Sequence, residues 1–111
     1  MMRAAILVAL VACADDPLEI EDMTCPPQGT TLTYDSFGQQ FLGEHCNICH
    51  STSKAGAPSG YKFDTHDQVK KHAKRIFIRS AGPNVTMPPG PDDPPELSRD
   101  QLAEWLACGA P

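Results

Sequence analysis

The side chains best suited to chemistry lie in one short segment, Cys46-Asn47-Ile48-Cys49-His50. Residues three and four positions apart share one face of a helical turn, so both thiols and the imidazole would project the same way. Thiols at this spacing can add to the two vinyl groups of a haem, take part in thiol–disulfide exchange or bind a metal ion. In the haem case, the imidazole would lie under the iron as its proximal ligand.

Haem attachment is the interpretation that the surroundings of the motif favour. A thioredoxin-type C-x-x-C belongs to a βαβ unit, and the sequence contains no βαβ pattern. A structural zinc site needs four ligands, usually from two paired clusters, whereas the other three cysteines of this chain are isolated from one another. The motif therefore predicts one covalent haem c, with thioethers to Cys46 and Cys49 and with His50 as the proximal ligand.

The motif needs a helix in front of it, and the sequence predicts one. Residues 30–34 are expected to be extended, after which Asp35 or Ser36 can cap a first helix. The apolar residues of this helix are Phe37, Phe41 and Leu42. Cys46 and Cys49 are expected at its end.

A second helix is predicted after a loop rich in Ser, Gly, Ala and Pro. It begins at Thr65, which is spaced to form a capping box with Gln68. Its apolar stripe consists of Val69, Ala73, Ile76 and Phe77. It should end near Ala81, and the six prolines of residues 83–95 predict a stiff, irregular loop after it.

The last helix carries the largest apolar side chains. Ser98 is the expected N-cap, with Gln101 as its capping-box partner and with Leu97 and Leu102 at the positions of a hydrophobic staple. Leu102, Trp105 and Leu106 are expected to face inward, and Gly109 to end the helix.

The N-terminus predicts export. Met1-Met2-Arg3 followed by the apolar run Ala4 to Ala12 is typical of a signal peptide, and the run is too short to cross a bilayer. Leu10-Val11-Ala12-Cys13 resembles the lipobox of bacterial lipoproteins, in which the cysteine becomes the first mature residue and carries the lipid. The alternative is an ordinary secretory signal in which Cys13 has no role. Both predict an oxidising compartment.

Composition limits the classes of protein that fit. The 111 residues suffice for one small domain, and a net charge of −5 argues against nucleic acid as a general partner. Only seven residues are aromatic, so a disulfide, a metal or a buried cofactor should complete the core. Residues 62–79 are an exception in charge, with six basic side chains against two acidic ones. Such a run is usually a solvated helix face, but it can also orient a protein against an acidic redox partner.

These features together resemble a small class I c-type cytochrome in the lipoprotein form. The resemblance covers residues 34–111 and rests on the helix before the haem motif, the segment Met87-Pro88-Pro89, the last helix and their order along the chain. It implies an all-α fold, with three main helices around one haem and long Pro/Gly-rich loops. The implied organisation is a signal peptide (1–12), an acidic tether (13–33) and a cytochrome c domain (34–111).

The resemblance also implies the second ligand of the iron. In the family a methionine in the loop before the last helix binds the iron, and Met87 is at that place. The alternatives are a gap-filling Met87 or ligation by His66 or His72, which are otherwise expected on polar faces together with His45.

Several further residues receive roles from the resemblance. The carbonyl of Pro58 is expected to accept the other ring proton of His50, and Tyr61, Phe63 and Trp105 to line the haem pocket or core. If the first and last helices cross as in the family, Cys25 and Cys108 could meet in a disulfide; the alternative is two unrelated buried thiols.

The implied function is electron transfer rather than catalysis. The protein would be a periplasmic, lipid-anchored, monomeric carrier whose iron cycles between Fe(II) and Fe(III), with redox proteins as donor and acceptor. Two alternatives stay open: a haem-based sensor or gas-binding module with a displaceable sixth ligand, and a thiol or zinc lipoprotein without haem.

Overall fold

The computed structural model describes residues 16–54 and 60–111, and within these ranges the chain is helical and has no β-strand. This confirms the all-α prediction. The α-helices of the described residues are α1 (Gln39–His45), α2 (His66–Lys71), α3 (Ala73–Ser80) and α4 (Glu96–Ala107). A 3₁₀ turn (Ile20–Asp22) precedes them, and a π-helical turn (Tyr34–Gly38) leads directly into α1. None of the helices described is long and apolar enough to cross a membrane.

The first helical segment begins earlier than predicted. Its cap is Thr33, whose Oγ1 accepts a hydrogen bond from the Ser36 N–H at 3.0 Å, while Ser36 Oγ accepts one from the Thr33 N–H at 3.0 Å. Ser36 is therefore the far partner of a capping box and not the cap, and Tyr34 is helical rather than extended. α1 ends at His45 with Cys46 as its C-cap, which agrees with the expectation that the cysteines lie at the end of this helix.

The second predicted helix is divided into α2 and α3. Thr65 and Gln68 form the expected capping box, and the helical stretch ends at Ser80, as predicted. At His72, however, the backbone departs from helical geometry, with φ −104° and ψ 13°. The His72 ring packs there against Tyr61, with ring centroids 5.3 Å apart, so the break coincides with a tertiary aromatic contact.

The start of α4 differs from the prediction. The helix begins at Glu96 after Pro95 and has no side-chain cap, so Ser98 lies inside the helix. Leu97 is 70% exposed and forms no staple. The inward face is as predicted, because Leu102, Trp105 and Leu106 are buried. Gly109 follows the end of the helix with φ +88°, a left-handed conformation that glycine adopts without strain.

The acidic segment before residue 34 packs on the helices over most of its described length. The Leu18 N–H donates to Asn84 Oδ1 at 3.0 Å, and Asn84 Nδ2 donates to the Leu18 carbonyl at 2.7 Å. Leu18, Ile20, Met23 and Leu32 contact the core. The expectation of a solvated tether is thus wrong from Leu18 onward, because apolar side chains alternate with the acids. Cys13 and the predicted signal peptide lie outside the described residues.

The two ends of the domain meet near α4. Cys25 and Cys108 are joined as a disulfide pair with their Cα atoms 4.9 Å apart, inside the usual range for such a bridge. Trp105 packs edge-on against Phe37, with ring centroids 6.1 Å apart. The first helical segment and the last helix are therefore in direct contact, and the cysteines that flank them are adjacent.

Candidate haem attachment site

The segment 46–50 forms a hydrogen-bonded turn directly after α1. The Cys46 N–H donates to the Leu42 carbonyl at 2.9 Å, which links the turn to the helix. The Cys46 carbonyl in turn accepts from the N–H groups of Cys49, at 3.1 Å, and His50, at 2.9 Å. Both thiols are free. Main-chain bonds thus hold the two thiols and the imidazole on a single turn, as the spacing predicts.

His50 is oriented by the segment that follows the loop. Its Nδ1 lies 2.8 Å from the Tyr61 carbonyl oxygen, and because a carbonyl can only accept, the contact puts the ring proton on Nδ1. This leaves Nε2 with the lone pair that a metal needs. The acceptor is therefore Tyr61 and not Pro58, which lies outside the described residues. The reason is main-chain pairing: the Phe63 N–H donates to the His50 carbonyl at 2.8 Å and brings residues 61–63 alongside.

Phe63 completes the support of the imidazole. Its ring stacks on that of His50, with centroids 4.7 Å apart and planes 18° from parallel. Asn47, inside the motif, donates from Nδ2 to the Phe63 carbonyl at 3.1 Å. Phe63 is buried, so the imidazole packs against a ring that belongs to the core. Its predicted place beside the site is in accord with these contacts.

The two motif thiols differ in environment. Cys49 is exposed, whereas burial raises the pKa of the Cys46 thiol to about 12. The positive charge of Arg99 acts in the opposite direction on this pKa, which shows that the guanidinium is within electrostatic range of the sulfur. Cys46 is accordingly a neutral thiol at pH 7, and its neighbourhood includes the N-terminal turn of α4.

Met87 is held by its main chain and not by its side chain. Its N–H donates to the Arg79 carbonyl at 2.9 Å, and its carbonyl accepts from Arg99 Nη1 at 2.9 Å. The residue is 39% exposed. A side chain so accessible does not fill a gap in the core, which argues against the gap-filling alternative.

The other histidines have packing roles that the sequence did not indicate. His66, expected on a polar face, stacks on Tyr34, with centroids 4.4 Å apart and planes 7° from parallel, and its Nε2 lies 2.6 Å from the Ala110 carbonyl. The ring of His45 packs on Phe41. His66 would have to give up the Ala110 carbonyl to bind a metal through Nε2.

His72 packs near the ring that supports His50. Its ring centroid is 5.9 Å from that of Phe63, whose ring also contacts His50. The buried Phe63 ring is thus shared by the two imidazoles. Among the described residues, there is no group of three or more His, Cys, Asp or Glu side chains that could hold a metal ion. A tetrahedral zinc site would need four ligands.

Arg99 is the residue of the site that sequence reasoning missed. It is 3% exposed, and its Nη1 donates to the carbonyls of Ser80, Asn84 and Met87 at 2.9, 3.1 and 2.9 Å. Its Nη2 is buried without a hydrogen-bond partner. A signal was present, since Arg99 lies three positions before Leu102 and so belongs to the inward stripe of the last helix.

These residues fit a haem c group chemically. The turn offers two free thiols, and His50 offers a nitrogen lone pair held in one orientation. The unpartnered Nη2 of Arg99 is a buried cationic donor, and a haem carries two anionic propionates that could accept from such a donor. No family model, curated protein or solved structure matches this chain.

Proposed function

We propose that this protein is a monohaem c-type cytochrome that carries electrons in the bacterial periplasm, with a lipid on Cys13 as its membrane anchor. The observation that carries the proposal is the geometry of His50. A turn that holds two free thiols also holds an imidazole whose Nδ1–H donates a hydrogen bond to the Tyr61 carbonyl at 2.8 Å. An imidazole fixed in this way is pre-organised to ligate iron through Nε2.

Four residues of the chain would hold the haem and its iron. Cys46 and Cys49 would hold the haem through thioethers, His50 would be the proximal ligand and Met87 the distal one. The haem iron would supply the redox chemistry by cycling between Fe(II) and Fe(III). His/Met ligation favours the reduced iron and raises the reduction potential. The buried rings near the motif, such as Phe63, would limit access of water and lower the local dielectric.

The experiment is expression in a host competent for haem c maturation, followed by extraction with acidified acetone. We expect the haem to stay on the denatured wild-type chain and to be lost when Cys46 and Cys49 are both replaced by Ala. The matched control is replacement of Cys25 and Cys108 by Ser, which removes two cysteines elsewhere and should leave the haem attached. Haem extracted freely from the wild-type chain would refute the proposal.

A second candidate function is a haem-based sensor or gas-binding module. The observation that favours it is the exposure of Met87, since an accessible side chain on a loop can be displaced by an incoming ligand. Spectra of the ferrous protein separate the two functions. An electron carrier should be low-spin and should bind carbon monoxide poorly, whereas a sensor should bind it readily.

The proposed anchor rests on the lipobox-like segment 10–13, and the proposed partner rests on the basic residues of 62–79. Mass spectrometry of the native protein should find an acylated Cys13 as the first residue, and an unmodified Cys13 would refute the anchor. The exposed bases of α2 and α3, including Lys70, Lys71 and Arg75, would face an acidic redox protein. Lys74 on the same helices is already paired with Glu21, which raises the pKa of the lysine and lowers that of the carboxyl.

A further inference from the structure

The main chain on both sides of the Met87 side chain is attached to helices. The Met87 N–H donates to the carbonyl of Arg79 in α3, and Thr86 Oγ1 donates to the same carbonyl at 3.2 Å. On the other side, the Met87 carbonyl accepts from Arg99 in α4. The main chain of Met87 is thus hydrogen-bonded to two helices, although the side chain that carries the sulfur is exposed.

Arg99 donates hydrogen bonds to three carbonyls that belong to one stretch of chain. The Ser80 carbonyl lies at the end of α3, the Asn84 carbonyl in the turn after it and the Met87 carbonyl in the proline-rich loop. One nitrogen, Nη1, donates to all three carbonyls. It therefore connects α4 with the chain segment that runs from the end of α3 to Met87. Charged donors make stronger hydrogen bonds than neutral ones.

The burial of this charge is not explained by a good ion pair. The nearest carboxylate oxygen, of Asp93, is 3.8 Å from Nη2, and the Asp93 side chain is mostly exposed. A buried charge with so loose a partner is costly, and an apolar side chain would fill the same place at lower cost. We therefore infer that an arginine occupies position 99 because it donates hydrogen bonds to the three carbonyls.

We propose that Arg99 is the positioning residue that fixes Met87 for iron ligation. This inference rests on the proposed function. A thioether is a weak neutral ligand, so its bond to iron depends on how little freedom the loop loses when the bond forms. Without the Arg99 anchor, the Met87 carbonyl is released, the loop gains freedom, and other ligands compete better for the sixth position.

The test uses the ferric holoprotein and added imidazole as the competing ligand. In Arg99→Met, the haem should remain attached, the far-red sulfur-to-iron charge-transfer band should weaken, and imidazole should bind about tenfold more tightly, the equivalent of losing one net hydrogen bond. Arg75→Met is the matched control, because it makes the same substitution at an exposed position. It should leave the imidazole affinity within about twofold of wild type.

Asn84→Ala separates positioning from general stability. The Asn84 side chain bonds Leu18 and the Phe77 carbonyl and makes no bond to Met87. This variant should melt at a lower temperature while its imidazole affinity stays at the wild-type value. An affinity raised as much in Asn84→Ala as in Arg99→Met would overturn the proposal.

A double substitution provides a second check. Once Met87 is replaced by Ala, the sixth position is already open, so adding Arg99→Met should not change the imidazole affinity further. A tenfold gain from Arg99→Met that persists in the Met87→Ala background would show that the effect does not pass through Met87 and would overturn the proposal.

Arg99→Lys keeps the charge and serves if the Met variant does not fold. Its ammonium carries three N–H donors but lacks the planar guanidinium that fixes Nη1 among the three carbonyls, so we expect an intermediate affinity for imidazole. A lowered melting temperature together with wild-type affinity would mean that Arg99 is purely structural. If the wild-type protein carries attached haem but lacks the far-red band, Met87 ligation is refuted as well. If the wild-type band is present and the Arg99 variants leave it unchanged, only the role of Arg99 is overturned.

Discussion

Trp105 lies against Gly38 so closely that a methyl group on residue 38 would overlap the indole ring. Trp105 is fully buried in α4, and Gly38 is the last residue of the π-helical turn before α1. The absence of a side chain at residue 38 therefore sets the distance between the first and last helical segments. Because α1 leads into the motif turn, this contact also fixes where Cys46 begins.

Gly38→Ala should destabilise the folded protein. The added methyl group has to displace the indole ring or separate two helical segments, and overpacking of this kind costs about 1–3 kcal/mol. Denaturant unfolding measures the change. Gly43→Ala is the control, because nothing lies within 4 Å of the position a Cβ would take there. A helical glycine replaced by alanine should instead stabilise by about 0.5–1 kcal/mol, and equal effects at both positions would contradict the prediction.

The two motif thiols should differ in reactivity in chain produced without haem. Burial raises the pKa of Cys46 from an ordinary value of 9.0 to about 12, so its reactive thiolate is scarce at neutral pH. Iodoacetamide followed by mass spectrometry should show Cys49 modified first. A faster Cys46 would contradict the assigned burial.

The same shift makes the stability of the haem-free chain depend on pH. A thiol whose folded pKa is raised stays protonated in the folded state while the unfolded thiol ionises. The contribution of the Cys46 thiol to the free energy of unfolding is therefore complete below pH 9 and declines between pH 9 and about 12. Cys46→Ala should reduce this alkaline decline, whereas Cys49→Ala should leave it in place.

The Cys25–Cys108 pair should be found as a disulfide in protein purified from the periplasm. The bridge closes a loop with a sequence separation of 83 residues. Such a loop corresponds to about 4–5 kcal/mol of stability in the chain-entropy description. Digestion without reductant should yield one peptide pair that contains both cysteines. Recovery of both residues as alkylatable thiols would contradict the pairing.

If Met87 is the proposed sixth ligand, Met87→Ala should remove the far-red charge-transfer band of the oxidised holoprotein and lower the reduction potential, because the sulfur would be lost from the iron. The open position should then bind added imidazole or carbon monoxide. Met23→Ala is the matched control, since Met23 packs against the core and should leave band and potential unchanged. If Met87→Ala also leaves both unchanged, His72 becomes the leading candidate for the sixth ligand.

Local sequence signals predicted those elements whose ends depend on neighbouring residues. Thr65 and Gln68 mark a helix start by a reciprocal hydrogen bond that needs nothing beyond four residues, and the structure contains that capping box. The inward stripe of the last helix follows from spacing alone. The turn that contains Cys46, Cys49 and His50 is likewise set by short-range main-chain bonds, although burial of Cys46 and exposure of Cys49 show that the two thiols do not share one environment.

Features that depend on distant contacts could not be read in this way. Ser98 has the chemistry of a cap, but α4 begins earlier, where the buried Arg99 side chain meets carbonyls 12 to 19 residues away. The acceptor for His50 was placed at Pro58, whereas the pairing of His50 with Phe63 selects Tyr61. The packing of His66 depends on a carbonyl 44 residues away.

The packing of Leu18 on Asn84 has a geometric consequence for a lipid-anchored protein. Only five residue steps separate Cys13 from Leu18, the first of the described residues that is held to the domain by hydrogen bonds. Fully extended, five residues reach about 17 Å. A lipid on Cys13 would therefore keep the domain at the headgroup surface, with little freedom to swing outward. Encounters with a partner would then depend on lateral diffusion of both proteins in the bilayer plane and on which flank of the domain faces the lipid.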